Sequence, residues 1–208
     1  MKKVGEGAEA SIYVTYLLGV EAIVKRREEK RYRAPALDML IRSQRTKKEA
    51  KMLAMASSLI GNVPKLLLAK RHEIYMSKVE GTRLSLIIDK LSAKALRNYA
   101  EKSGEYLAVL HDANIVHGDY TPANLIANSK TLYVIDFGLS EMTNALEDKA
   151  IDLLVMKRAI GKQLFSNFTK GYSKRSQNAI GVLSRLSVVE KRGRYQTRTL
   201  ESINLSTS

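Results

Sequence analysis

The first eighty residues alternate between short apolar runs and polar turns. Four runs rich in β-branched and aromatic residues predict β-strands, at residues 11–17, 20–24, 65–69 and 73–79. Between the second and third runs, apolar residues recur at spacings of three and four from Leu37 to Leu59, which predicts one long helix. Gly61 and Pro64 follow it as a typical helix end. The pattern therefore predicts a strand-rich first lobe over residues 1–80.

Helical patterns dominate the rest of the chain. Ser92 is a suitable cap for a helix whose apolar side includes Leu107 and Leu110. Further segments are predicted as a strand pair at residues 125–126 and 132–135, around a turn at 128–130, and as helices at 146–160 and 173–186. These elements predict a reduced helical lobe over residues 81–195 and a loose tail, rich in Arg, Ser and Thr, over 196–208. A strand-rich lobe followed by a helical one is an α+β arrangement.

Composition limits the cellular setting. The chain has 208 residues, 45% of them hydrophobic, which suits one domain or two small lobes that share an interface. It has no apolar run of about eighteen residues and no apolar core after the basic N-terminus, so we expect neither a transmembrane helix nor a signal peptide. The absence of cysteine fits a reducing cytoplasm. With only three histidines, a histidine-built metal site has little to draw on.

Positive charge is concentrated in two segments. The formal net charge is +14, and Glu190 is the only acidic residue from Lys157 to Arg198. A second basic cluster extends from Lys25 to Lys51. Such clusters indicate either a solvated surface or a polyanionic partner, because clustered Lys and Arg release counterions on binding. No RNA-binding motif with interleaved aromatic residues favours one over the other.

The segment HGDYTPANLIANSKTLYVIDFGLS, residues 117–140, carries the strongest chemical signal. Asp119 and Asn124 lie five residues apart, and Asp136 follows a hydrophobic strand. Phosphoryl transfer needs one carboxylate near the nucleophile's proton and hard oxygen ligands for Mg²⁺. His117-Gly118-Asp119 with Asn124 resembles the protein-kinase motif H-R-D-x-x-x-x-N, and Asp136-Phe137-Gly138 resembles D-F-G. The order and spacing together predict a catalytic loop followed by a magnesium-binding turn.

The N-terminal half supplies counterparts of the other kinase motifs. The segment Val4, Gly5, Glu6, Gly7, Ala8, Glu9 and Ala10 resembles the phosphate-covering loop G-x-G-x-x-G, with Ala10 in place of the third glycine. Lys25, after Ala22-Ile23-Val24, matches the strand lysine that contacts the nucleotide phosphates. Glu49 on the long helix is the predicted ion-pair partner of Lys25. Backbone groups around Ser77 to Val79 are predicted to bind adenine, with Met76 packed beside it.

Longer stretches of the sequence resemble one family, the small atypical kinase of the KEOPS complex, also called the p53-related protein kinase family. The resemblance extends over residues 1 to about 195. RIO kinases share the architecture but not these sequence motifs. It rests on the residues Gly7-Ala8-Glu9-Ala10, Lys30-x-Tyr32-Arg33-x-Pro35-x-Leu37-Asp38, Arg45-Thr46-x-x-Glu49-Ala50, His117-Gly118-Asp119-x-Thr121-x-x-Asn124, Asp136-Phe137-Gly138-Leu139-Ser140 and Asp148-Lys149-Ala150-x-Asp152.

The resemblance implies a minimal two-lobed ATP-binding protein. Such a protein phosphorylates serine or threonine and acts as an ATPase in the complex that installs threonylcarbamoyladenosine in tRNA. By position, Asp119 would be the catalytic base, Lys25 and Glu49 would place the phosphates, and Asn124 and Asp136 would hold Mg²⁺. The expected partners are the threonylcarbamoyltransferase subunit and a small accessory subunit. The residues Lys191, Arg192 and Arg194 resemble the family's basic tail, which would suit tRNA contact.

Departures from ordinary protein kinases keep two alternatives open. Gly118 replaces the arginine of H-R-D, and about a dozen residues separate Gly138 from Asp152, so the platform for an extended peptide is small. Asp152 resembles the buried helix aspartate that anchors the catalytic loop, and His111 is predicted to be a packed helix histidine. The alternatives to an ATPase in tRNA modification are a general serine/threonine kinase of the RIO type and an RNA-binding scaffold without ATP turnover.

Overall fold

The computed structural model describes residues 1–7, 9–129 and 131–206, with side chains as far as Arg192. Ala8 and Lys130 lie outside the described residues, as do Thr207 and Ser208 at the end of the predicted tail. The β-strands within the described chain are β1 (Lys2–Glu6), β2 (Ser11–Leu17), β3 (Val20–Arg26), β4 (Leu66–Ala69), β5 (Glu73–Ser77), β6 (Thr82–Arg83), β7 (Ile115–Val116), β8 (Leu125–Ala127), β9 (Leu132–Val134) and β10 (Glu141–Met142). The α-helices are α1 (Pro35–Ile60), α2 (Leu84–Ile87), α3 (Ala93–Asp112), α4 (Leu146–Arg175) and α5 (Ala179–Ser206), and two 3₁₀ turns cover Ile88–Lys90 and Pro122–Asn124.

The chain forms two compact units. The first unit combines Met1–Lys90 with Ala123–Ser140, and the second combines Leu91–Pro122 with Glu141–Ser208. The chain therefore enters the second unit, returns to the first and leaves again, whereas the sequence analysis placed a single boundary after residue 80. That boundary stays a prediction.

An antiparallel sheet in the order β1-β2-β3-β5-β4 forms the larger part of the first unit. The predicted hairpin is confirmed, with Leu18 and Gly19 at positive φ (50° and 80°) in a two-residue turn between β2 and β3. β3 is the central strand, and its small or branched residues Ala22 and Val24 are fully buried. Lys25 pairs with Ile12 of β2 and Ile74 of β5 in the ladder, so its backbone is fixed from both sides.

The long helix α1 is confirmed, and its ends follow from local chemistry. Pro35 occupies the first turn, where a missing N–H costs nothing. Gly61 ends the helix at φ 67°, and its N–H donates to the Ser57 carbonyl. Buried Leu53 and Ala56 belong to the face that packs toward β4 and β5. The predicted strand pair is also confirmed, as β8 and β9 pair antiparallel within this unit and β6 pairs with β8.

The second unit is helical, and α3 packs closely against α4. Ser92 caps α3 as predicted, because its side chain accepts a hydrogen bond from Ala95 N at 3.2 Å. Two glycines permit the close approach of the helices. A Cβ atom on Gly104 would overlap the carbonyl oxygen of Phe168, and one on Gly171 would overlap that of Glu101. Backbone on one helix therefore packs directly against backbone on the other.

Two predictions about the C-terminal half are corrected. The helix predicted at residues 146–160 continues as α4 to Arg175, with a kink at Gly161, where φ is 72° and ψ is 168°. Residues 162–172 are helical because Phe165, Phe168 and Tyr172, spaced by three and four, bury one face in the unit. The predicted loose tail is helical as far as Ser206, where α5 ends, and no proline interrupts this helix.

No helix among the described residues is both long enough and apolar enough to span a bilayer.

We expect Gly104→Ala and Gly171→Ala each to destabilise the protein. The added methyl group has no room without separating α3 from α4, and overpacking of this kind costs about 1–3 kcal/mol or more. Thermal unfolding should show a Tm lower by about 5 °C or more. Gly5→Ala is the matched control, since its Cβ would make an ordinary 3.6 Å contact with Ile12 Cβ. Equal Tm values for all three variants would contradict the backbone contact.

Candidate active site

Lys25 lies between two carboxylates in the first unit. Its Nζ is 2.7 Å from Glu49 Oε1 on α1 and 2.6 Å from Asp136 Oδ1, which follows β9. Burial alone would lower the pKa of Lys25, but the carboxylates of Glu49 and Asp136 outweigh it and raise that pKa above its usual value. Lys25 is therefore a fixed ammonium group.

Arg27 is a second cation on Glu49 and was missed by the sequence analysis. It is only 3% exposed, and its Nη2 lies 2.5 Å from Glu49 Oε2. Its Nη1 is 3.4 Å from Thr46 Oγ1, one turn earlier on α1. Lys25 and Arg27 are two residues apart, so the alternation of an extended strand places both on one side. The spacing of two residues could have predicted that Arg27 lies beside Lys25, but Arg27 is one of several basic residues in this segment and was not singled out.

The turn at Asp136 has an unusual backbone. Asp136 has φ 63°, a left-handed conformation that costs energy for residues other than glycine and that aspartate tolerates better than most. Its Oδ1 accepts the Gly138 N–H at 3.1 Å as well as the bond from Lys25. A Cβ on Gly138 would lie 3.1 Å from Asp136 Oδ1 and 3.4 Å from Lys25 Nζ. Glycine at 138 thus leaves space for the charged cluster.

Asn124 is connected to the same turn through the backbone. Its carbonyl accepts the N–H of Ile135 at 2.9 Å, immediately before Asp136. The Asp136 carboxylate is about half exposed, at 47%. An amide oxygen and a carboxylate are the hard oxygen donors that Mg²⁺ prefers, so the donor chemistry of Asn124 and Asp136 fits this ion.

The predicted phosphate-covering loop forms the turn between β1 and β2. Gly7 N donates to Ala10 O at 2.9 Å, and Gly5 and Glu6 pair with Ile12 and Ser11 in the ladder. Glu9 makes an ion pair with Arg45 of α1. Arg45 thereby balances the negative charge at this loop. Val4 and Ala10 flank the turn, and Ala8 lies outside the described residues.

The predicted adenine segment follows the central part of the sheet. Met76 and Ser77 are the last residues of β5, and both are half-buried, as is Val79. Ser77 N donates to the Lys65 carbonyl at 2.9 Å, and Ser77 Oγ accepts the Lys65 N–H. The segment from Ser77 to Val79 therefore has one backbone donor fewer to offer a base than the sequence suggested.

In the second unit, Asp152 anchors the loop that carries Asp119. The buried Asp152 carboxylate accepts the backbone N–H of His117 at 2.6 Å and of Gly118 at 2.8 Å, which confirms the predicted anchor. Gly118 has φ 82°, so glycine in this position meets a conformational need as well as removing the arginine of H-R-D. Asp119 itself is exposed. The anchored loop holds its carboxylate at the surface of this unit.

His111 and two tyrosines support this loop. His111 is buried, as predicted, with Nδ1 2.8 Å from Tyr172 Oη and Nε2 3.2 Å from Asp152 Oδ2. Burial lowers the pKa of His111 against the opposing effect of Asp152, and burial raises that of Tyr172. A neutral imidazole then donates to Asp152 and accepts from Tyr172. The buried Tyr120 donates to the Ser103 carbonyl at 2.8 Å.

The predicted nucleic-acid residues lie on α5. Lys191 is exposed, and Arg192 makes a 3.0 Å ion pair with Glu147 of α4. The side chain of Arg194 lies outside the described residues. Taken together, the structure brings Lys25, Glu49 and Asp136 into contact and connects Asn124 to them, while Asp119 belongs to the other unit.

We expect the stabilising effect of His111 to fade in acid. Because the folded pKa of His111 is below the unfolded value of about 6.5, the unfolded chain binds the proton more readily, and stability falls as pH drops below about 6.5. His111→Gln should therefore be less stable than the wild type near pH 7.5, and the gap should narrow near pH 5.5. Urea unfolding of both proteins at both pH values measures the difference in the free energy of unfolding. His72 is present in both proteins, so its contribution cancels in that difference. A gap that widens in acid would mean that folded His111 is protonated.

Sequence comparison gives the family. A family model described as RIO1, the RIO domain, matches residues 20–178. The chain is 33% identical over 216 residues to the KEOPS complex subunit Bud32 of Pyrococcus abyssi, covering 96% of this chain and 98% of that protein. It is 40% identical over 178 residues to the EKC/KEOPS complex subunit BUD32 of Encephalitozoon cuniculi, covering 84% and 88%.

Two further comparisons add a longer relative and a fold. A probable bifunctional tRNA threonylcarbamoyladenosine biosynthesis protein of Methanococcus vannielii is 35% identical, and the match covers 92% of this chain but 36% of that protein. The Rio2 kinase of Chaetomium thermophilum, solved as an ADP/Mg²⁺-phosphoaspartate complex, has a TM-score of 0.63 and 16% identity, covering 92% of this chain and 70% of that one. This likeness confirms the α+β protein-kinase-like fold. The chain belongs to the Bud32 family of RIO-domain kinases.

Proposed function

We propose that the protein is a Mg²⁺-dependent phosphotransferase that uses ATP, acting on serine or threonine and as an ATPase, in the KEOPS complex. The observation that carries the proposal is the contact of Lys25 with both Glu49 and Asp136. In protein kinases the strand lysine that contacts the nucleotide phosphates pairs with a helix glutamate, and the aspartate of D-F-G holds Mg²⁺. Family membership gives the general class of reaction, since RIO-domain proteins are kinases.

Within this proposal, the first unit holds the nucleotide. Lys25 binds phosphate oxygens and Glu49 keeps its ammonium in place. Asn124 and Asp136 would hold Mg²⁺, which would offset negative charge on the phosphates. The loop of Val4, Gly5, Glu6, Gly7, Ala8, Glu9 and Ala10 covers the phosphates, and Met76, Ser77 and Val79 border the adenine. The ADP and Mg²⁺ of the Rio2 kinase structure support ATP and Mg²⁺ as the ligands.

Asp119 is the proposed general base. Its carboxylate is exposed on a loop whose backbone is fixed by Asp152, so it can accept a proton from a hydroxyl or a water without rearrangement of the loop. Positioned acid–base groups of this kind contribute about 10²- to 10⁴-fold in rate.

The names of the relatives support a role in tRNA modification. The two Bud32 relatives are KEOPS subunits, and the bifunctional relative is named for threonylcarbamoyladenosine biosynthesis. The match covers only 36% of that relative. In that protein, a segment similar to this chain is therefore part of a longer polypeptide. We infer a threonylcarbamoyltransferase subunit and a small accessory subunit as partners, in the cytoplasm. The residues Lys191, Arg192 and Arg194 are the proposed tRNA contacts.

The structure favours ATP hydrolysis coupled to a partner over dedicated peptide phosphorylation. In the segment after Gly138, β10 pairs with β7 and α4 begins at Leu146. Few residues are left there to form a platform for an extended peptide. A hydroxyl on a partner subunit or a water molecule is a more suitable acceptor than a linear peptide.

We expect Asp119→Ala and Asp136→Ala to lower ATP turnover by about 10²-fold or more, because each removes a carboxylate from the reaction. Label from γ-³²P-ATP is followed as protein-bound label and as free phosphate, for the protein alone and with tRNA and the KEOPS transferase subunit. Label on protein that falls while free phosphate rises on adding the partners supports the coupled ATPase.

The matched control is Asp89→Ala, which removes an exposed carboxylate from the first unit outside the proposed site and should leave turnover unchanged. Label that keeps accumulating on added protein substrates, without partners, would favour a general serine/threonine kinase. If the wild type shows no Asp136-dependent label or phosphate while salt-sensitive tRNA binding persists, the proposal fails and the scaffold alternative stands.

A further inference from the structure

A basic cavity lies in the first unit beyond the end of β3. It has a volume of about 390 Å³, within the range of small-molecule pockets. Neither Lys25 nor Asp136 contributes to its walls. It is formed by the segment after β3, the β4–β5 turn and α1, and its lining residues are Arg26, Arg27, Glu28, Glu29, Arg42, Lys70, Arg71, His72 and Glu73.

The charges around this cavity favour an anion. Five lining side chains are cationic and three are carboxylates. Arg26 is paired with Glu73 at 2.6 Å, and Glu28 accepts a hydrogen bond from Tyr13 at 3.1 Å, so part of the negative charge is already engaged. Lys70 and Arg71 are exposed, at adjacent positions in the β4–β5 turn. Arg27 and Arg42 are held by Glu49 and Asp38, so the exposed positive charge of the cavity is at Lys70 and Arg71.

Two buried polar atoms in the cavity walls have no hydrogen-bond partner within the described chain. They are Nε of Arg27 and Nδ1 of His72. Arg27 is only 3% exposed, and an unsatisfied buried donor costs about 1–3 kcal/mol. Burial is the main cause that lowers the pKa of His72, and Arg42 and Arg71 lower it further against the opposing effects of Asp38 and the Arg71 backbone.

We propose that this cavity binds a phosphate monoester dianion. A tetrahedral dianion accepts hydrogen bonds from the exposed cations at 70 and 71, its charge is attracted by Arg27 and Arg42 in the walls, and it is small enough for the volume of the cavity. A nucleic-acid backbone fits less well, because the exposed cations of the lining are at the adjacent positions 70 and 71 and suit one phosphate group rather than an extended row of them. The site is separate from the proposed ATP site, although both use one shared side chain.

Arg27 is that shared side chain. Its Nη2 binds Glu49 Oε2, while Lys25 binds Glu49 Oε1. An anion bound near Arg27 weakens the attraction between Arg27 and Glu49. The Glu49 carboxylate then interacts more strongly with Lys25. Occupancy of the cavity is thereby coupled to the Lys25–Glu49 pair through a single carboxylate, and the coupling needs no movement of the sheet.

The histidine ring resonances provide the test. The chain has three histidines, and His72 lines the cavity whereas His111 is buried in the second unit. Inorganic phosphate, titrated at constant ionic strength, should shift the His72 ring signals saturably and raise the pKa of His72, while the His111 signals stay unchanged. O-phosphoserine is titrated in parallel, and whichever of the two saturates at lower concentration identifies free phosphate or a phosphorylated side chain as the source.

Variants separate the site from the ATP site and from general charge effects. Arg71→Glu should weaken phosphate binding about tenfold or more, because it replaces an attractive charge with a repulsive one. Arg97→Glu, the same charge change at an exposed position of α3, should not. Lys25→Ala should still show a saturable shift of the His72 signals even where ATP turnover is lost, because Lys25 does not line the cavity. A linear shift, equal in Arg71→Glu and Arg97→Glu, overturns the proposal, as does a shift caused by a phosphodiester oligonucleotide but not by either monoester.

Discussion

The first unit depends on one buried carboxylate shared by two cations. Glu49 is 3% exposed, and each of its oxygens accepts a hydrogen bond, from Lys25 at 2.7 Å and from Arg27 at 2.5 Å. Burying a carboxylate costs several kcal/mol, and only well-formed charge-assisted bonds offset it. The position of α1 relative to β3 is therefore specified, because a shift of either element leaves a charge buried without its partner. Lys25 meets Asp136 from that fixed position.

The second unit repeats this solution with Asp152. A buried carboxylate on α4 accepts two backbone N–H groups of the loop before Asp119 and one imidazole N–H. The loop has no regular secondary structure to satisfy its amides, so the carboxylate does so. In each unit, a buried acid holds in place a residue that is proposed to contact substrate. Glu49 positions Lys25, and Asp152 positions the loop of Asp119. Loss of either acid should therefore act by displacing Lys25 or the Asp119 loop, and not by removing a reacting group.

Much of the fold and the pairings within the site followed from sequence. Alternating β-branched runs gave the β2–β3 hairpin, and spacings of three and four gave α1 and α3. In α3 this spacing marks the buried face, whereas Leu37 and Leu40 at the start of α1 are exposed. Lys25 and Glu49 were paired by motif, and the contact is present. Residues 162–172 were missed because their helix depends on packing of Phe168 against α3 rather than on local propensity. Arg27 was missed because its two-residue spacing from Lys25, the available signal, lies within a run of basic residues.

Arg27 also shows why net charge is a poor guide to binding surfaces in this protein. A formal charge of +14 suggests a broad polyanion site, yet many arginines are engaged within the chain. Arg42 binds Asp38 at 2.6 Å, Arg185 and Arg192 both bind Glu147, and Arg45 binds Glu9. The pairs of Arg45, Arg185 and Arg192 are partly exposed and therefore weak, so these three arginines can exchange partners, but each exchange releases a carboxylate that repels a polyanion. The surface most ready to receive an anion is therefore one where cationic side chains are exposed at adjacent positions, as Lys70 and Arg71 are.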